Sequence, residues 1–279
     1  MSDSRPIGIF DSGLGGLSVW REIARQLPQE SILYLADQAH VPYGSRRLPE
    51  VRELSKGIAR FLLDQGAKLL VVACNTASAA ALHDLRSIFP DTPFVGMEPA
   101  VKPAAERTHN GVVGVIATPA TFQGELFASL MKRYASDVRV LTQVCPGLVE
   151  AVEANKMDDP QTKAVLRKCL VPLIDAGVDQ LVLGCTHYPF LRPVIEQVIG
   201  TNVEVIDPAP AVARQTGRVL ARRGLEADLP ADSGHRHVFY TTRDVTAFAA
   251  GVERLIPFAG ESPEVRPVRW RDGHLQARE

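Results

Sequence analysis

Leu69-Leu70-Val71-Val72-Ala73-Cys74-Asn75-Thr76-Ala77-Ser78 decides the fold. Five apolar residues without polar alternation read as a strand buried on both faces. A thiol and small polar side chains follow at its carboxyl end, and Ala77–Leu82 then has the composition of a good helix former. Strand, polar corner and helix together are the unit of a parallel α/β sheet.

The unit recurs. Leu70–Cys74 is echoed by Leu181–Cys185, 111 residues later, and Pro99-Ala100-Val101 by Pro210-Ala211-Val212, again 111 later. Ile7–Phe10 is echoed by Val113–Ile116 and Ile32–Leu35 by Val138–Leu141, each 106 later. Any two α/β units share short Val/Ile/Leu strands, but that does not produce two Cys–polar–polar corners. Leu17–Gln26 and Val51–Gln65 have helical spacing between the strands, and Phe94–Val95 reads as a further buried strand. The predicted fold is two pseudosymmetric three-layer α/β domains with mainly parallel sheets and an active site in the cleft between them. Beyond Pro210, Val212–Ala221 and Val245–Leu255 read as helices and His237–Thr242 as a strand. The expected division is residues 1–98 plus 211–260 as the first domain and 99–210 as the second. The tail, 261–279, is unassigned between an edge strand and disorder.

The bulk composition agrees with a globular chain. It has 279 residues, 46% hydrophobic and 23% charged, with 31 basic and 32 acidic side chains. The near-zero net charge predicts no nucleic-acid partner. The opening MSDSRPIGIF lacks the pattern of a signal peptide, and no apolar run reaches the roughly 18 residues of a membrane span. A cytoplasmic location with four reduced cysteines is therefore expected. None of them forms a CxxC pair, so a zinc site has little support.

In open parallel sheets ligands bind beyond the carboxyl ends of the strands. The corners there are Asp11–Gly16, Cys74–Ser78, Ala117–Thr121 and Cys185–Tyr188, each rich in small polar groups. A lone buried cysteine is usually a small hydrophobe. Two at equivalent corners of a repeat suit inversion of a carbon that bears an acidic hydrogen, because one group takes the proton from one face and the other returns it on the opposite face. At a helix N-terminus a thiolate is favoured, which predicts a lowered pKa. Cys145 and Cys169 lack such a setting and read as structural. Asp11 and His187 either assist the thiols or merely cap a helix and occupy a turn. Pro42-Tyr43-Gly44 is either a rigid turn offering backbone N–H groups to a carboxylate or an ordinary surface turn. DSGLGG is not GxGxxG, so dinucleotide binding is weakly supported.

The segments GIFDSGLGGLSV (8–19), YLADQAHVPYG (34–44), ACNTASA (73–79), IATPAT (116–121) and LGCTHYP (183–189) resemble those of bacterial glutamate racemases, with a weaker match at HVFYTTRD (237–244). DSGLGG with PYG favours these over the related aspartate racemases. The resemblance implies cofactor-independent, pyridoxal-free and metal-free interconversion of L- and D-glutamate, supplying D-glutamate for peptidoglycan. It implies catalytic thiols at Cys74 and Cys185, assisted by Asp11 and His187. An acidic helper falls at Glu153, with Glu150 as the neighbouring candidate. Implied substrate contacts are Asp11, Ser12, Pro42, Tyr43, Gly44, Asn75, Thr76, Thr118, Thr121, Thr186 and His187. A homodimer and, as in some members, DNA gyrase are the implied protein partners. Competing expectations are an aspartate or other acidic amino-acid racemase, a Cys-dependent hydrolase or decarboxylase with one essential thiol, and a non-catalytic regulator.

Overall fold

The computed structural model describes residues 3–228, 237–256 and 263–277. Parts of the expected ranges lie outside these residues: 1–2, 229–236 and 257–260 of the first domain, and 261–262 and 278–279 of the tail.

The chain begins β1 (Ile7–Asp11), α1 (Leu17–Gln26), β2 (Ile32–Ala36), α2 (Leu48–Asp64), β3 (Leu69–Val72), α3 (Asn75–Ile88) and β4 (Phe94–Gly96). It continues α4 (Val101–Arg107), β5 (Val112–Ala117), α5 (Pro119–Gln123), α6 (Glu125–Tyr134), β6 (Arg139–Val144), α7 (Leu148–Glu153), α8 (Pro160–Asp175), β7 (Gln180–Gly184), α9 (Arg192–Ile199) and β8 (Glu204–Ile206). It closes with α10 (Ala209–Arg223), β9 (His237–Thr241), α11 (Val245–Leu255), β10 (Glu264–Arg271) and β11 (His274–Ala277).

Two sheets form, ordered β11-β10-β9-β2-β1-β3-β4 and β6-β5-β7-β8. The segment β2-β1-β3-β4 of the first has the order of the whole second sheet, and all pairings within both are parallel. This is the pseudosymmetry seen in the repeated sequence. Alternate residues of the strands enter different layers. Ile7 and Ile9 pack with Leu17, Trp20 and Phe248, whereas Phe10 packs toward Ile58, Leu62 and Leu82. In the second sheet Val113, Val115 and Val182 meet Val101 and Phe127, and Leu181 and Leu183 meet Leu166 and Leu170.

The structure corrects one detail of the repeat. Gly8 pairs with Leu33 and Gly114 with Leu141, so the β2 and β6 offset is 108 (33 to 141) and not 106. β6 is a partly exposed edge strand, so its apolar pattern constrains register weakly, and a two-residue shift keeps every side chain on its own face.

The helices after β4 and β8 exchange sides. α4 packs on β5 and β7 of the second sheet, and α10 packs back on α1 and β4. The tail is ordered in the described residues. β10 lies parallel beside β9, and β11 turns back antiparallel on β10. Its signal was weak in sequence because β10 is half-exposed along most of its length and contains Pro267. Among the described residues no helix is long and apolar enough to cross a membrane.

A buried ion pair ties the amino-terminal ends of the first sheet together. Lys68 Nζ lies 2.6 Å from Glu30 Oε2, and both side chains are fully buried. Lys68 also donates to the Asp3 carbonyl, and Glu30 Oε1 accepts the Ala227 N–H. Lys68→Met leaves Glu30 as an unpaired buried charge and should lower the unfolding free energy by about 3–5 kcal/mol in urea titration. An unchanged midpoint would show that the pair does not staple the fold.

Candidate active site

The carboxyl ends of the two sheets meet. Cys74 caps α3 just beyond β3, and Cys185 follows β7 directly. Both thiols line one narrow cavity together with Ser12, Pro42, Tyr43, Gly44, Asn75, Thr76, Thr118, Thr121, Thr186 and His187. Its free volume is about 10 Å³, room for roughly one water. Val149 and Gly184 complete the wall and were not singled out in sequence, because both look like ordinary apolar and turn residues there. Asp11 and Glu153 stand one layer behind the wall. Among the described residues no group of three or more His, Cys, Asp or Glu is arranged to hold a metal ion.

The walls are stitched across the cleft. The Thr76 hydroxyl from α3 meets Thr118 at 2.9 Å and Thr121 at 3.3 Å, beyond β5. Gly44 presses on the Thr118 side chain so closely that a Cβ there would come within 2.5 Å of it. Ser18 on α1 donates to the Thr186 carbonyl at 3.0 Å. Both polar atoms of the Asn75 amide are buried without a protein partner.

Asp11 does two things at once. Its Oδ2 accepts the N–H groups of Gly13 and Gly16, which shapes the turn into α1, and Oδ1 accepts the Thr186 hydroxyl. It also faces the Cys74 thiol. Burial raises the Asp11 pKa above the usual carboxylate range, against the pull of His187 and the two backbone N–H groups.

The expectation of a lowered Cys74 pKa is overturned. Burial and the neighbouring Asp11 carboxylate push the thiol well above its ordinary value, and the Ala77 N–H of the helix terminus opposes them too weakly. Desolvation outweighs a helix terminus in a closed site. Cys74 is therefore held as the thiol.

His187 sits 3.8 Å from Cys185 Sγ through Nδ1 and 2.7 Å from Glu153 Oε1 through Nε2. Glu153, on α7, also accepts the Leu14 N–H at 2.6 Å and the Gln38 amide at 3.0 Å from the first sheet's loops. Glu150 is exposed and takes no part in this network. Glycines in DSGLGG make room for the arrangement: a Cβ on Gly13 would fall 2.0 Å from Glu153 Oε1, and one on Gly15 would fall 2.3 Å from the His187 ring. Burial disfavours the His187 imidazolium, but Cys185 and Glu153 together hold its pKa well above the ordinary value. Burial likewise disfavours the Glu153 carboxylate, yet His187, Leu14 and Gln38 hold its pKa below the ordinary value.

The profile of the Asp/Glu/Hydantoin racemase family matches residues 7–216. The chain belongs to the Asp/Glu/Hydantoin racemase family. Within it, the glutamate racemase of Roseiflexus sp. (strain RS-1) is 52% identical over 257 residues, covering 91% of this chain and 94% of the relative. The fold is similar to a glutamate racemase from Bacillus anthracis, with a TM-score of 0.85 at 34% identity over 97% of this chain and 98% of that one. It is also similar to the glutamate racemase of Francisella tularensis solved in complex with D-glutamate, with a TM-score of 0.82 at 29% identity over 95% and 98% of the two chains. The chain is accordingly an amino-acid racemase, an isomerase.

The His187–Glu153 pair predicts a pH window for stability. A raised imidazole pKa stabilises fully below the ordinary value of about 6.5 and fades as pH rises through the native value. A lowered carboxylate pKa stabilises above the ordinary value of about 4.3 and fades as pH falls through the native value. The melting-temperature difference between wild type and Glu153→Gln should be largest near pH 5–6 and shrink toward alkaline pH. A difference that is flat with pH would contradict a charged pair.

Proposed function

We propose that the chain interconverts L- and D-glutamate by passing the α-proton between two thiols on opposite faces of the α-carbon. The observation that carries this reading is that Cys74 and Cys185, beyond equivalent strands β3 and β7, line one narrow cavity. The glutamate racemase relative matched along nearly its whole length and the neighbour solved with D-glutamate support glutamate as the substrate. The product's expected use is peptidoglycan synthesis.

Substrate enters when the two sheets separate, since the narrow cavity has space for little more than a water. Closure places the α-carbon between the sulfur atoms. The Asn75 amide, buried without partner, offers its N–H₂ to a substrate carboxylate and its oxygen to the ammonium group. Thr76, Thr118, Thr121, Thr186 and Ser12 offer further hydroxyls, and the Pro42-Tyr43-Gly44 turn closes the wall beside Thr118.

In one direction the Cys185 thiolate takes the α-proton, so that S–H forms as C–H breaks. The Cys74 thiol then gives its proton to the other face of the carbanion. In the reverse direction Cys74 must first lose its proton, and Asp11 is placed to take it, since its own raised pKa suits a proton acceptor in a closed site. His187 faces Cys185 in the complementary role, placed to give its imidazolium proton to the Cys185 thiolate so that Cys185 is the acid in that direction. A dry, hydrogen-bonded cavity stabilises the carbanion, contributing several kcal/mol.

Cys74→Ala and Cys185→Ala should each lower the racemisation rate by about 10²- to 10⁴-fold or more in a circular-dichroism assay with either enantiomer. Retention of most activity by either variant would reject the two-thiol scheme and favour a reaction with one essential thiol. Aspartate should be turned over far more slowly than glutamate.

A further inference from the structure

The tail hairpin reaches the wall of the cavity through one buried carboxylate. Asp37, fully buried just beyond β2, accepts four side-chain donors. Trp270 Nε1 on β10 donates to Oδ1 at 2.8 Å, and the Thr242 hydroxyl beyond β9 donates to the same oxygen at 3.0 Å. The Tyr43 hydroxyl donates to Oδ2 at 2.7 Å, and His40 Nδ1 lies 2.9 Å from it. Tyr43 is itself part of the cavity wall, and its neighbour Gly44 rests on Thr118 of the opposite sheet.

Trp270 is seated for this contact. Its ring lies over Gly57 on α2, where a Cβ would fall 2.6 Å from the indole, and it meets the His40 ring edge-on at 5.7 Å. The adjacent residue continues the pattern, since the Gln38 amide oxygen accepts the Thr241 hydroxyl while its nitrogen donates to Glu153. Strands β9 and β10 thus fix, from behind, the loop that presents Tyr43 to the cavity.

We propose that Trp270 is a positioning residue for the Pro42-Tyr43-Gly44 wall, acting through Asp37 on the Tyr43 hydroxyl. This rests on the racemase reading above. The turn carries no proton-transferring group in that scheme, so loosening it removes substrate binding and leaves the thiol chemistry intact. Such a loss appears in KM and not in kcat.

Trp270→Phe keeps the ring over Gly57 and deletes only the N–H donor. It should raise the KM for both glutamate enantiomers about tenfold, the scale of one hydrogen bond to a charged group, with kcat within about twofold of wild type. Tyr43→Phe should raise KM similarly, and the double variant should be no worse than Tyr43→Phe within about twofold, because both act on one linkage. Thr242→Val removes a different Asp37 donor without touching the hairpin and should shift KM in the same direction. Wild-type KM in Trp270→Phe or in Thr242→Val would overturn the proposal. So would additive effects in the double variant, or a loss of kcat that tracks unfolding and is restored by cooling. If Trp270→Phe does not fold, Thr242→Val decides. Wild-type enzyme assayed alongside keeps the two readings apart: absence of glutamate racemisation there would contradict the function itself, whereas normal racemisation with an unaltered KM in the variants would contradict only the role of Trp270.

Discussion

Glu153 is the contact on which the closed arrangement depends. It belongs to a helix of the second sheet, yet it accepts the Leu14 N–H and the Gln38 amide from loops of the first. Its remaining interaction fixes the His187 ring beside Cys185. One carboxylate therefore holds the lobes together and orients the group that faces one thiol. The electrostatics follow from the same geometry. A buried carboxylate costs free energy unless its hydrogen bonds are made, and here they are made from both sides of the cleft. The small residues of Asp11–Gly16 are the steric counterpart, because side chains on Gly13 or Gly15 would occupy the space of Glu153 and His187.

The two thiols occupy equivalent places but not equivalent environments. Cys74 is backed by Asp11 and pushed toward the protonated form, while Cys185 is backed by an imidazole whose pKa is raised. A pseudosymmetric fold supplies the two faces that inversion requires. In the proposed scheme the different second partners divide the work, Asp11 taking a proton from one thiol and His187 giving one to the other. This asymmetry is read from the residues behind the thiols, not from the thiols themselves.

Much of the architecture was legible because buried parallel strands carry their signal locally. The helix Leu17–Gln26 and the corners at Cys74 and Cys185 lie where periodicity and composition put them. What was not legible depends on partners distant in the chain. Gln38 meets Glu153 across 115 residues and Trp270 meets Asp37 across 233, and no local pattern marks either. The Cys74 pKa was misread for a related reason: a helix N-terminus is visible in sequence, whereas full burial beside Asp11 is a tertiary fact. The edge strand β6 and the outlying strand β10 were blurred because half-exposed strands are free to carry mixed residues.

The central claim is that proton removal and proton return use different groups on different faces. It is tested most directly by following the α-position early in the reaction of protonated L-glutamate in deuterated water. Two separate groups predict that the D-glutamate formed carries α-deuterium while the unreacted L-glutamate remains protonated. Deuterium accumulating in the unreacted L-glutamate ahead of inversion, or D-glutamate that keeps its original proton, would contradict the account.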